Sequence, residues 1–138
     1  MTDYIDVLRR VEPLRRDRNR IVERLEQLRS AAEGLTRTVR DGSAGTAEPD
    51  KMAKLVAEME EVADQLSMAE AEYAIALGRA ETALRMLPDK QRDVVRLREV
   101  DQMSWDAVAD AMHYSRAQCY RYHERARDKL RERGYSAG

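Results

Sequence analysis

The sequence predicts an all-α protein in which a long antiparallel helical hairpin, coiled-coil-like in its pattern, precedes a compact C-terminal module of short helices. Apolar residues recur at alternating steps of three and four over two long segments, which is typical of helices that bury one stripe. A stretch rich in Gly, Ser and Pro, residues 41–49, separates the two segments and predicts a loop. The chain is 37% charged and 5% aromatic with few β-branched runs, so a sheet is not expected.

The first long segment carries an apolar stripe that only Arg18 interrupts. Its members are Val7, Val11, Leu14, Ile21, Leu25, Leu28, Ala32, Leu35 and Val39. Pro13 lies within this segment, where it removes a backbone donor and clashes with the preceding helical turn. We therefore expect either a kink at Pro13 or a helix that begins near Glu12, after a separate short helix over residues 2–10.

The second long segment carries an uninterrupted stripe. Its members are Met52, Leu55, Met59, Val62, Leu66, Ala69, Tyr73, Ala76, Ala80, Ala83 and Leu87. Pro49 fits the first turn of this helix, where a missing N–H costs nothing. Pro88 disfavours helical geometry in the residue before it, so we expect the helix to end at Leu87.

The two long helices are expected to pair antiparallel, because they are similar in length and a short loop joins them. Their charges are complementary, with a balance of +3 over residues 1–40 and −6 over residues 41–87. We assign residues 1–87 to this helical hairpin and residues 88–138 to a second domain.

The second domain has the spacing of a helix-turn-helix. Helices are predicted over residues 90–100, 105–112 and 116–133, with a turn at 101–103 and Gly134 closing the last helix. Ser104 and Ser115 stand at N-cap positions, and His113 occupies a turn position that tolerates a left-handed backbone. The apolar faces that would pack together are formed by Val94, Leu97, Val100, Trp105, Val108, Ala109, Met112, Cys119, Tyr122, Ala126 and Leu130. This arrangement makes double-stranded DNA the leading partner.

Burial of those faces leaves one set of side chains free at the start of the last helix, the recognition helix. The candidate DNA-binding residues are Ser115, Arg116, Ala117, Gln118, Tyr120, Arg121, Arg125, Arg127 and Lys129. Arg and Gln pair bidentately with guanine and adenine edges, and an N-cap Ser with its neighbouring amides can hold a phosphate. The later basic residues are spaced to follow backbone phosphates. Tyr120 could stack on bases or pack against the protein. The balance over residues 116–133 is +4, although the whole chain carries −1.

The sequence contains no pattern typical of an enzyme, a metal site or a cofactor site. There is no Gly-rich phosphate loop, no HExxH and no paired cysteines, and His123 lacks companions that would complete a metal site. The single Cys119 is expected in the core. No apolar run approaches the ~20 residues of a bilayer span, and no signal-peptide pattern is present, so we expect a soluble, cytoplasmic protein.

The segment LPDKQRDVVRLREVDQMSWDAVADAMHYSRAQCYRYHERARDKLR resembles region 4 of sigma-70-type RNA polymerase factors. It also resembles small phage and prophage transcription regulators in the style of the RinA and ArpU groups. The resemblance implies that the start of the recognition helix contacts an upstream promoter element, and that RNA polymerase is a partner. The chain has no counterpart of the other regions of a full sigma factor, which implies an activator or a partial sigma-like protein.

Three functions remain open at this point. The leading hypothesis is a sequence-specific DNA-binding transcriptional regulator of phage or prophage origin, whose hairpin mediates self-association or binds a partner. The second is the small terminase subunit of a phage, which packages DNA. The third is a coiled-coil interaction protein that does not bind DNA.

Overall fold

The computed structural model is all-α over the residues it describes, which are 3–40, 42 and 48–133. The helices are α1 (Tyr4–Arg9), α2 (Val11–Arg40), α3 (Glu48–Leu84), α4 (Asp89–Val95), α5 (Trp105–Met112) and α6 (Arg116–Arg133). The helices predicted at 105–112 and 116–133 are confirmed at those bounds. No helix within the described ranges is both long and apolar enough to cross a membrane.

The first long segment is broken, as one of the two alternatives at Pro13 predicts. Asp3 caps α1 by accepting a hydrogen bond from the Ile5 amide at 3.2 Å, and Arg10 is the one residue between α1 and α2. Pro13 is then the third residue of α2, in the first turn, where its missing N–H has no helical partner to lose. The short helix predicted over residues 2–10 is therefore confirmed.

The end of α3 differs from the prediction. The helix ends at Leu84, three residues before Leu87, and the chain then tightens into a turn. The Arg92 side chain donates to the carbonyl oxygens of Leu84 and Leu87 at 3.1 and 2.9 Å. These bonds satisfy acceptors that a helix end leaves free. The cap comes from the next helix, which the local pattern around Pro88 does not indicate.

The helix predicted over residues 90–100 changes character midway. It begins as α4 and widens into a π-helical turn over Arg96–Val100, with the Asp101 amide donating to the Arg96 carbonyl oxygen at 2.9 Å. Such turns insert a residue into a helix and often accompany functional sites.

The contacts divide the chain into two compact units. One, the hairpin unit, is Arg16–Ala71; the other, the terminal unit, joins Met1–Arg15 to Glu72–Gly138. This division differs from the predicted boundary between residues 87 and 88, because both chain ends contribute to the terminal unit. The assignment of residues 1–87 to the hairpin and of residues 88–138 to a second domain stays a prediction.

The hairpin unit pairs α2 with α3 in antiparallel fashion. Arg24 forms an ion pair with Glu58 at 3.3 Å, and Leu35 of α2 lines one groove together with Leu55 and Lys51 of α3. Increasing numbers on α2 thus meet decreasing numbers on α3. Within the unit, the stripe residues whose side chains are described are the less exposed ones, although only Leu25 and Leu28 among them are buried. The coiled-coil assignment stays a prediction, and residues 41 and 43–47 of the predicted loop lie outside the described residues.

The terminal unit contains two apolar clusters. The first joins α1 and the end of α3 to the C-terminal helices, through Tyr4, Ile5, Leu8, Val11, Ala76, Ala80, Ala83, Leu84, Leu87, Val95, Val100, Ala126 and Leu130. The second lies within the helix-turn-helix, around Val94, Val108, Ala109 and Cys119. The predicted apolar faces of the three C-terminal helices are therefore confirmed, but part of them packs against the N-terminal helix. The predicted C-cap at Gly134 lies outside the described residues.

Candidate nucleic-acid interface

The turn between α5 and α6 has the caps that its sequence predicts. The Ser104 hydroxyl accepts from the Ala107 amide at 3.2 Å at the start of α5. His113 ends α5 with a left-handed backbone, φ 60° and ψ 37°. The Ser115 hydroxyl accepts from the Gln118 amide at 3.2 Å at the start of α6. Local residues therefore set the angle at which α6 leaves the turn.

The core beneath the turn is tightly closed. Val108 and Cys119 are fully buried, and Ala109 is small where α5 and α6 approach each other. Burial raises the pKa of the Cys119 thiol, which keeps it protonated and unreactive. The prediction that Cys119 is a core residue is confirmed, and α6 is held on a rigid support.

The candidate DNA-binding residues lie together on α6 and its N-cap. All are exposed except Lys129, which is half-buried. No ion pair in the described part of the chain involves Arg121, Arg125 or Arg127, so their guanidinium groups are available to an anionic ligand. Their role in DNA binding stays a prediction.

Gln118 has a structural role that the sequence pattern did not assign. Its side-chain oxygen accepts from the Ser115 amide at 3.4 Å, which completes a capping box with the Ser115 hydroxyl. The Ser-x-x-Gln spacing was a signal for this role. The amide nitrogen of the Gln118 side chain remains available to an acceptor on a base.

Tyr120, left open by the sequence, packs against the protein and also holds a neighbour. Its ring meets the Trp105 ring edge-on at 4.5 Å between centroids, and its hydroxyl accepts from Arg116 at 2.8 Å. A second nitrogen of Arg116 lies 3.4 Å from the carboxylate of Asp106 on α5. The Tyr120 hydroxyl, and then the Asp106 charge, raise the pKa of Arg116 above its ordinary value. The first arginine of the recognition helix is thus held in a defined position.

Trp105 is the centre of an aromatic group on this side of the domain. The Arg98 guanidinium lies 4.8 Å from the centre of its ring and donates to the Met103 carbonyl oxygen at 2.8 Å. The His123 ring meets Trp105 edge-on at 5.1 Å. Trp105 is half-buried, so it anchors α5 to α6 without being sealed inside.

The most consequential residue that sequence reasoning missed is Glu99. Its side chain is only 4% exposed, yet it receives two bonds from Arg9 of α1, at 2.6 and 3.3 Å, and lies 2.8 Å from His123 Nε2. Burial raises the pKa of Glu99, but the bonds from His123 and Arg9 outweigh burial and lower it from 4.5 to about 2. An ionised carboxylate only accepts, so Nε2 of His123 is the donor. The signal available was an acidic residue within the apolar face of its helix; its partner lies 90 residues away.

His123 is buried and packs within the terminal unit. Among the described residues there is no group of three or more His, Cys, Asp or Glu side chains that could hold a metal ion.

One protein-family model matches the C-terminal part of the chain. Residues 77–130, under half of the chain, match the family model described as Sigma-70, region 4. No curated protein and no solved structure shows significant similarity to the chain. The match begins in α3 and runs through α6, so it includes the caps, the left-handed turn and the exposed start of α6 described above. The C-terminal part of the chain is therefore similar to region 4 of sigma-70 factors, and its helices α5 and α6 have the arrangement of a helix-turn-helix.

Proposed function

We propose that the protein is a sequence-specific DNA-binding transcriptional regulator of phage or prophage origin, which acts in the cytoplasm with α6 in the major groove. The observation that carries this proposal is the rigid, exposed start of α6. A buried core fixes the helix, two caps set its angle, and its free face presents Arg116 and Arg121. A helix in this setting suits the width of the major groove of B-DNA.

The proposed contacts divide by position along α6. Arg116, Gln118 and Arg121 lie in the first two turns and would meet base edges, while Ala117 allows close approach of the helix. Ser115 is exposed at the N-terminus of α6, where the remaining free amides of the first turn favour a phosphate. The more distal residues Arg125, Arg127 and Lys129 would follow the backbone.

Arg121→Ala is expected to weaken binding to the preferred duplex by ~1–3 kcal/mol and to relax the choice of base at one position. Arg127→Ala is expected to weaken binding to all duplexes alike, with a reduced dependence on salt concentration, because a phosphate contact carries no sequence information. Selection from a random duplex pool supplies the preferred sequence, and titrations against that duplex and a scrambled one measure both effects. Equal effects of the two variants on both duplexes would contradict the assignment of Arg121 to the groove.

RNA polymerase is the proposed protein partner. The family match supports this partner, since region 4 belongs to a factor of RNA polymerase. The position of the selected sequence relative to promoters indicates whether the protein activates or represses transcription. A pull-down of purified RNA polymerase with the full chain, with and without the selected duplex, tests the contact.

The hairpin unit is the proposed site of self-association, with a second copy of the chain as its partner. Over residues 16–40 there are seven Arg against four acidic residues, and over residues 48–71 two Lys against seven acidic residues. Arg24 of α2 forms an ion pair with Glu58 of α3 at 3.3 Å, which shows that the two kinds of helix surface attract each other. Val56 and Met68 of α3 are also exposed, at 44% and 67%. Two copies could bring the basic helix of each against the acidic helix of the other in a closed, two-fold arrangement.

Self-association through opposite charges should depend on salt. Sedimentation is expected to show a dimer at ~0.1 M salt and a shift toward monomer at ~1 M, where the screening length falls from ~10 to ~3 Å. Met68→Lys places a charge on the exposed apolar surface and should shift the same equilibrium toward monomer. A monomer at both salt concentrations would contradict this part of the proposal, and a large ring would favour DNA packaging instead.

A further inference from the structure

Among the proposed base-contacting residues of the described chain, Arg116 is the one whose guanidinium group is already bound by other side chains in the free protein. Its Nη2 donates to the Tyr120 hydroxyl at 2.8 Å, and its Nη1 lies 3.4 Å from Oδ1 of Asp106. Tyr120 is itself fixed by its edge-on contact with Trp105. By contrast, Arg121 and Arg125 have no such partner among the described residues.

The contact between Arg116 and Asp106 is expected to contribute little to the stability of the folded protein. Both side chains are more than half exposed, at 55% for Arg116 and 78% for Asp106, and exposed ion pairs contribute little to folding. A carboxylate at this place also opposes the attraction of the surface for phosphates, which dominates non-specific DNA binding. Asp106 is therefore expected to lower the affinity for DNA while adding little to stability, which indicates a role other than these two.

We propose that Asp106 is a positioning residue that raises sequence discrimination by holding Arg116, together with the Tyr120 hydroxyl, in the orientation in which it meets a base edge. This inference rests on the proposed DNA-binding function. On the preferred duplex, Arg116 keeps its orientation and gains a bidentate base contact. On other duplexes that contact is absent, and the Asp106 carboxylate restrains Arg116 from turning to a phosphate while itself repelling phosphates. Asp106 therefore weakens binding to random DNA more than binding to the preferred sequence.

Asp106→Asn tests the inference, and Asp110→Asn is its matched control. Asp110 lies one turn further along α5, is exposed, and has no side-chain partner among the described residues. Both changes remove one negative charge from the same helix. Each variant is titrated against the selected duplex and a scrambled duplex. The measure of discrimination is the dissociation constant for the scrambled duplex divided by that for the selected duplex.

Asp106→Asn is expected to raise affinity for the scrambled duplex and to reduce the ratio by about 5- to 10-fold, the size of one or two hydrogen bonds. Asp110→Asn should strengthen binding to both duplexes alike and leave the ratio unchanged. Tyr120→Phe keeps the ring against Trp105 but removes the acceptor, so it should reduce the ratio without any change of charge.

The outcomes separate this inference from the proposed function. Wild-type protein that binds the selected and scrambled duplexes equally would overturn the proposed function itself. Wild-type protein that discriminates, with an unchanged ratio in both Asp106→Asn and Tyr120→Phe, would overturn only the role of Asp106. Circular dichroism of each variant verifies that the exposed substitutions leave the fold intact.

Discussion

Replacement of Leu8 by alanine is expected to lower the free energy of unfolding of the terminal unit by about 2–5 kcal/mol, although Leu8 lies far from the helix-turn-helix in the sequence. Leu8 is fully buried in the first apolar cluster, with Leu84, Val95 and Leu130 among its members. Loss of its branched end would leave a cavity between α1 and the C-terminal helices. The cost falls on the terminal unit, because α1 is part of that unit.

Urea titration followed by tryptophan fluorescence measures this effect directly, since Trp105 is the only tryptophan and lies in the helix-turn-helix. Ile75→Ala is the control within the same unit, because Ile75 is 58% exposed and its truncation should change stability by less than ~0.5 kcal/mol. An unchanged midpoint of urea unfolding for Leu8→Ala would show that α1 contributes nothing to the stability of the terminal unit.

Glu99→Gln is expected to destabilise the terminal unit by about 2–3 kcal/mol at neutral pH. The change keeps the shape of the side chain but removes the charge that Arg9 and His123 bind. Breaking a fully buried pair costs about 3–5 kcal/mol, and the lower figure follows because the Arg9 side chain is 58% exposed and partly screened. Glu124→Gln, the same chemical change at an exposed position of α6, should have little effect.

The contribution of Glu99 should also depend on pH in a defined direction. Its pKa is lowered from 4.5 to about 2 in the folded protein, so the unfolded chain takes up the proton first as the pH falls. The stabilisation is therefore complete above about pH 5 and is lost as the pH falls through 4.5 toward 2. Unfolding free energies of the wild type and Glu99→Gln should differ most near neutral pH and converge as the pH approaches about 2. A difference that stays constant over this range would show that the Glu99 charge is not the cause.

The parts of the fold that the sequence predicted are those that neighbouring residues determine. Ser104, His113 and Ser115 are local signals, and the bounds of α5 and α6 follow from them. The buried positions of Val108 and Cys119 follow from the helical repeat alone. The exposed start of α6 could be predicted for the same reason, since burying one face of a helix determines which face remains.

The parts that the sequence did not predict depend on contacts between distant residues. Arg92 caps the preceding helix, and Glu99 meets an arginine in α1; neither partner follows from a repeat or a motif. The engagement of Arg116 by Asp106 likewise required the angle between α5 and α6. For this reason the sequence predicted which residues at the start of α6 are exposed. It did not predict which of these residues the free protein holds in place through other side chains.

The bond between Arg9 and Glu99 also has a consequence during synthesis. At translation rates of ~5–20 residues per second, the 90 residues between these partners take roughly 5–20 s to emerge. The long hairpin helices can form in that interval from nearby residues, and the end of α3 supplies part of the surface that receives Ile5 and Leu8. The rest of that surface, including Ala126 and Leu130 of α6, is made later, so the packing of α1 is completed only after α6 leaves the ribosome.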